Sequence, residues 1–132
     1  MDIGIRKMAE PGRKEKYTFP RGCLHFLSNE KCHIPFICFP SVTPRSSSIL
    51  VYSHGSSSNL NNVYEFANAL ALKYNVAVLA YDYTGDGESQ KEFSSYEEDL
   101  KLVLAWVITE GYKLNRTILC GFSLGSYSAL AL

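Results

Sequence analysis

From Ser48 onward the apolar positions switch between two periods. Ile49-Leu50-Val51-Tyr52-Ser53 is a short, nearly continuous apolar run, which predicts a strand buried on both faces. Leu60, Val63, Tyr64, Ala67, Leu70, Ala71 and Tyr74 then recur at steps of three and four. That spacing predicts one face of an amphipathic helix, with Asn59 or a neighbouring serine at its start. Residues 76–81 form a second buried run, followed by a Gly/Asp-rich loop over 82–90. Ser94 with Glu97, or Ser95 with Glu98, then gives the S-x-x-E pattern that opens a helix. Tyr96, Leu100, Val103, Leu104, Val107 and Ile108 supply its stripe, and Gly111 ends it. Residues 117–122 predict a third strand, and the small apolar residues from Leu124 predict a buried helix. Strands alternating with helices in this way predict parallel pairing through crossovers.

Upstream the pattern differs. Two short apolar segments, 23–27 and 34–39, flank Ser28-Asn29-Glu30-Lys31 and predict an antiparallel hairpin. Pro35 lacks an N–H for a ladder, so the second of these strands is expected toward a sheet edge. Residues 40–48 read as loop. Residues 1–19, broken by Pro11-Gly12, read as a flexible lead-in, leaving 20–132 as one partial domain. The expected class is therefore α/β, a hairpin leading into a βαβαβα sheet.

Composition narrows the function classes. The chain has 132 residues, 46% apolar and 20% charged, which suits a folded core. Thirteen basic and thirteen acidic residues cancel, so no nucleic-acid or acidic-membrane partner is expected. No apolar run reaches the roughly 18 residues of a transmembrane span, and the first 19 residues lack the apolar core of a secretory signal. Cys23, Cys32, Cys38 and Cys120 show no CxxC pair, which predicts reduced thiols and a cytoplasmic setting. Nothing completes a zinc set around Cys32-His33, so neither metal nor cofactor is expected.

The strongest chemical signal is Gly121-Phe122-Ser123-Leu124-Gly125, a G-x-S-x-G pentapeptide between a predicted strand and a predicted helix. At such a turn the serine hydroxyl projects above the sheet, and the flanking glycines leave room for neighbouring backbone. Ser123 is the expected nucleophile. The helix behind it aims unpaired amides at the serine, making the Leu124 N–H an oxyanion donor. A second donor is expected after the first buried strand, where His54-Gly55 stands, and Ser56 is the candidate, or Ser57 if the loop differs by one residue. His54 itself reads as a turn residue that holds the loop by hydrogen bonds. The run Tyr81-Asp82-Tyr83-Thr84-Gly85-Asp86-Gly87-Glu88-Ser89 lacks the third glycine of a dinucleotide loop and the Gly-Lys-Ser/Thr of a phosphate loop. It reads as a tight connection beside the site, with carboxylates in solvent or on backbone amides.

His54-Gly55, the D-Y-x-G-x-G-x-S loop and the G-x-S-x-G turn together resemble the α/β-hydrolase superfamily. Through Tyr52-Ser53-His54-Gly55 and Tyr81-Asp82-Tyr83 the chain is similar to the group that holds cytosolic protein depalmitoylases and serine-peptidase-like hydrolases. The resemblance runs from about residue 20 to 132 and implies the N-terminal part of that fold. Three departures stand out. Asp86 replaces an aromatic or aliphatic residue of the family's glycine loop, which implies a different pocket rim. Residues 1–19 hold no cysteine, unlike the lipidated N-terminus of the depalmitoylases. The family's triad runs Ser, then Asp or Glu, then His, and the nine residues after Ser123 include neither an acid nor a histidine.

The resemblance thus implies an N-terminal fragment of a serine hydrolase of esters or thioesters, with a small-molecule or acylated-protein substrate. The chain alone is expected to be nearly inert, because a serine without its base is a poor nucleophile. Two alternatives use the same residues: a catalytically dead module that binds or regulates a partner through its uncovered sheet, and a small-molecule binding module.

Overall fold

The computed structural model describes residues 14–43, 48–55 and 58–121. Five strands, β1 (Leu24–Ser28), β2 (His33–Phe39), β3 (Ile49–Ser53), β4 (Ala77–Tyr81) and β5 (Thr117–Gly121), form one mixed sheet in the order β1-β2-β4-β3-β5. β1 and β2 make the expected hairpin, in register Leu24 opposite Ile37 through Ser28 opposite His33. β2 then pairs antiparallel with β4, while β3 runs parallel to both β4 and β5. The α/β class and the hairpin leading into parallel strands are as the pattern predicts; the helix expected after Leu124 lies outside the described residues.

Two helices connect the parallel strands, α1 (Leu60–Tyr74) and α2 (Tyr96–Thr109). The crossover from β3 to β4 goes one way along the sheet, and that from β4 to β5 goes back past β3. Right-handed crossovers in opposite directions put their helices on opposite faces. The core divides accordingly. Leu60, Val63, Ala67 and Ala71 of α1 pack with Ile37, Val78 and Ala80. Tyr96, Leu100, Val103 and Val107 of α2 pack with Phe36, Val51, Leu79 and Tyr81. β4 is buried at all five positions, its alternate side chains feeding the two layers.

The helix ends follow local chemistry. Asn59 caps α1 by accepting from the Asn61 N–H at 2.8 Å, and Asn62 returns a bond to the Asn59 N–H, a capping box with asparagine in place of glutamate. Asn75 closes α1 in the left-handed region at φ 51°. Of the two start signals for α2, Ser95 with Glu98 is the one used: Ser95 Oγ accepts from the Glu98 N–H at 3.0 Å.

Two expectations fail. Pro35 does not mark an edge, because β2 lies between β1 and β4. The Pro35 carbonyl accepts from the Asp82 N–H at 2.9 Å, so its backbone polar groups face the β4 side. The β2–β4 register stops at Phe36 opposite Tyr81, and Pro35 stands one step beyond it, where no ladder N–H is needed. The lead-in is not loose over its described part either. Tyr17 and Phe19 are buried, and Phe19 stacks between Tyr17 and Tyr64 at centroid distances of 4.9 and 4.8 Å. Two aromatic rings seven and five residues before Leu24, the first residue of β1, bring enough apolar surface to hold this segment down.

Candidate active site

The last residues of the three parallel strands lie side by side. Ser53 is in register with Tyr81 on one flank and with Gly121 on the other. The residues that follow, His54-Gly55 after β3 and Asp82 after β4, therefore leave the sheet at one common edge, the edge at which β5 reaches Gly121. This is the carboxyl edge, where open α/β sheets hold their ligands. Gly121 is thus the described first residue of the G-x-S-x-G motif. Ser123, Leu124, Gly125 and Ser56 lie outside the described residues.

Asp82 is the centre of the described site. Its carboxylate is fully buried. Oδ1 takes the His54 ring at Nε2, 2.7 Å away, and the Leu60 backbone N–H at 3.1 Å. Oδ2 takes the Tyr17 hydroxyl. The other His54 nitrogen, Nδ1, meets the Gly55 carbonyl at 2.8 Å. A carboxylate and a carbonyl both accept, so both ring nitrogens must donate, and the ring that satisfies them is the imidazolium. Burial works against that charge, but the hydrogen bond and charge of Asp82, the Gly55 carbonyl and the Asp86 charge outweigh it, holding His54 above the ordinary histidine value. Burial, with the Asp82 carboxylate beside it, pushes the Tyr17 phenol far above its usual range.

His54 accordingly holds the loop, as its place in the sequence suggests. The Tyr83 hydroxyl donates to the His54 carbonyl at 2.7 Å, and the two rings meet edge to face at 4.9 Å. The Ser58 N–H donates to the Gly55 carbonyl at 3.1 Å. At the strand ends, the Ser53 and Tyr81 hydroxyls pair at 2.6 Å within the core. Both oxygens of Asp99 on α2 take Thr84, its N–H at 2.9 Å and its hydroxyl at 2.7 Å. Ser89 Oγ accepts the Gly85 N–H and donates to the His33 carbonyl.

Of the two places expected for the carboxylates of the 82–90 loop, solvent or backbone amides, solvent fails for Asp82 and Asp86, both fully buried. The reason is the central place of β4, covered on both faces, so that its first loop residue starts inside the molecule. Asp82 does bond a backbone amide, but an imidazolium and a phenol complete its shell. Asp86 lies within the folded loop and not on an exposed rim. The glycines here are geometric: Gly87 sits at φ 55°, and a Cβ on it would land on the Tyr17 hydroxyl and Asp82 Oδ2.

The contribution of Tyr17 is not visible in any motif. Its only signal is an aromatic pair, Tyr17 and Phe19, in a polar lead-in. The His54–Asp82 pair has a plainer one, since two ionisable residues directly follow two buried strands that the topology makes neighbours. Among the described residues no three His, Cys, Asp or Glu side chains gather as a metal site. No helix among them is long and apolar enough to cross a membrane.

The fold recurs in solved structures. An α/β serine hydrolase homologue from Coxiella burnetii superposes with a TM-score of 0.68 at 21% identity, over 86% of this chain and 58% of its own. Mouse α/β-hydrolase domain-containing protein 10 is 27% identical with a TM-score of 0.56, over 82% of this chain and 42% of its own. An α/β serine hydrolase without a lid from Xanthomonas campestris gives 0.61 at 20% identity, over 85% and 56%. The chain spans about half the length of these relatives. No curated protein sequence matches it. The profile of the serine aminopeptidase S33 family matches residues 44–132, a stretch that includes β3 to β5 and the G-x-S-x-G motif, and the chain belongs to that family of α/β-hydrolases.

Proposed function

We propose that this chain carries the nucleophile half of a serine hydrolase that cleaves esters or thioesters through an acyl-enzyme. Ser123 attacks the acyl carbon, and the Leu124 and Ser56 amides take the developing oxyanion. The general base and its carboxylate partner come, in the whole protein, from sequence after the serine, following the family's triad order. The observation that supports this most directly is the register of Gly121 with Ser53 and Tyr81, which ends β5, the strand before Ser123 in sequence, level with the strand that leads to His54. His54 does not supply the base, because both ring nitrogens are already engaged. An acylated protein is the substrate class that the resemblance to depalmitoylases favours. The four free cysteines agree with work in a reducing compartment such as the cytoplasm.

A fluorophosphonate probe tests the reading. The whole protein labels at Ser123 and loses the label in Ser123→Ala, while the 132-residue chain alone labels weakly. A whole protein that does not react, or reacts elsewhere, overturns it.

A second reading, a binding module without catalysis, is supported by β5. Ile118 and Leu119 are 49% and 37% exposed on successive positions of the outermost described strand. An in-frame continuation lacking an acid followed by a histidine favours this reading.

A further inference from the structure

Asp82 Oδ1 accepts from His54 Nε2 at 2.7 Å and from the Leu60 N–H at 3.1 Å. Those two residues bracket the loop that leaves β3, so one oxygen atom gathers both ends of it. The other oxygen takes, among the described residues, the Tyr17 hydroxyl, which comes from a segment 65 residues away in sequence. That segment is strapped down along its length. The Glu15 N–H donates to the Gly87 carbonyl at 2.9 Å, and the Tyr17 N–H donates to Glu88 Oε2 at 2.8 Å. Arg21 closes it with two bonds to the Glu88 carboxylate, both 2.8 Å. The strap also reaches the first turn of α1: Asn59 donates to Glu15, and the Thr18 N–H donates to Asn61 Oδ1 at 2.9 Å. Gly87, without a Cβ, leaves the space in which Tyr17 and Asp82 meet.

We infer that Tyr17 is a positioning residue, which orients the Asp82 carboxylate and through it holds His54 and Leu60, the described ends of the loop after β3, for the acyl transfer proposed above. The inference rests on the hydrolase reading above for its chemical consequence, but not for its geometry. A carboxylate with two donors on one oxygen can still turn about its own axis; a third donor on the second oxygen stops that rotation. The loop's amides matter because an oxyanion donor acts only within a narrow distance of the developing charge, and small displacements carry large rate costs. Among the described residues the Tyr17 hydroxyl bonds to Asp82. It acts through Asp82 alone.

Tyr17→Phe keeps the ring that stacks on Phe19 and removes only the hydroxyl. Amide hydrogen exchange on the 132-residue chain reads the geometry. The Leu60 and Ser58 amides are expected to exchange about tenfold or more faster in Tyr17→Phe, as follows from loss of one charge-assisted bond, while Val78 and Leu79 in β4 keep their protection. In the whole protein the same substitution is expected to lower kcat about tenfold for an activated ester such as p-nitrophenyl butyrate, with KM nearly unchanged. Unchanged exchange at Leu60 and Ser58, equal acceleration throughout β4, or an unprotected Leu60 amide in the unsubstituted chain each overturns the inference. Loss of KM with kcat intact does so too. Faster loop exchange in a whole protein whose Ser123 does not react sinks the hydrolase reading and upholds the positioning of the loop.

Discussion

His54 and Asp82 form a buried ion pair, Nε2 to Oδ1 at 2.7 Å, that joins the ends of two adjacent parallel strands. Such a pair stands on its completeness. Each partner compensates the other's desolvation, and removing one leaves an uncompensated charge in the interior. Asp82→Ala is expected to destabilise the fold by about 3–5 kcal/mol, the range for breaking a buried pair. Urea unfolding followed by tyrosine and tryptophan fluorescence measures it. A loss well under that range would mean that water reaches the site.

The same pair sets a pH dependence with a definite sign. His54 is held above its ordinary value of 6.5 in the folded state. Its contribution is therefore complete below that unfolded value and is lost as pH rises through the folded one. The stability difference between the unsubstituted chain and His54→Gln is expected to shrink on the alkaline side. Urea midpoints from pH 5 to 10 read this directly. Nitrogen NMR of the ring gives a second reading, with both nitrogens protonated at neutral pH.

Gly87 and Gly111 separate two costs that are easily confused. Both have positive φ, 55° and 102°. A Cβ on Gly111 meets nothing, whereas one on Gly87 collides with Tyr17 and Asp82. Gly111→Ala is expected to cost only the backbone strain, about 1–2 kcal/mol. Gly87→Ala adds overpacking and is expected to cost about 2–4 kcal/mol in total. Equal losses would show that the strap gives way without resistance.

Cys38 tests the burial of the α2 layer. Burial, with Glu110 and Cys23 nearby, pushes its thiol up to about 11. Alkylation by iodoacetamide at neutral pH is expected to be slow at this position and to rise about tenfold per pH unit until pH 11 is approached. Mass spectrometry of the labelled chain resolves the site.

The sheet and its helices were legible because their signals are local and repeated. Ile49–Ser53 reads as a buried strand from five residues, and it is one. Ser95 announces α2, and the stripe Tyr96, Leu100, Val103, Val107 is the face that packs. The stripes overreach only at their last turns, where Tyr74 and Ile108 are 59% and 49% exposed. What could not be read was long in range. Pro35 was misplaced because an edge and a ladder end look alike until the partner strand is known. Asp82 looks like any loop carboxylate until Tyr17 and His54 are brought to it by the fold. The candidate site was legible as a motif at Gly121 and His54, while the network that orders its described half rests on contacts between residues tens of positions apart.

The strap has a consequence for how the molecule assembles. Its bonds to the 82–91 loop close intervals of 65 to 77 residues, whereas β3, α1 and β4 form a contiguous unit. Closing a long interval costs entropy before any contact repays it, so the βαβ unit is expected to order first and the strap last. Contacts made after the rate-limiting step act on the way out, not on the way in. The segment that Tyr17 anchors would then set chiefly how long the native state lasts, and only slightly how fast it is reached.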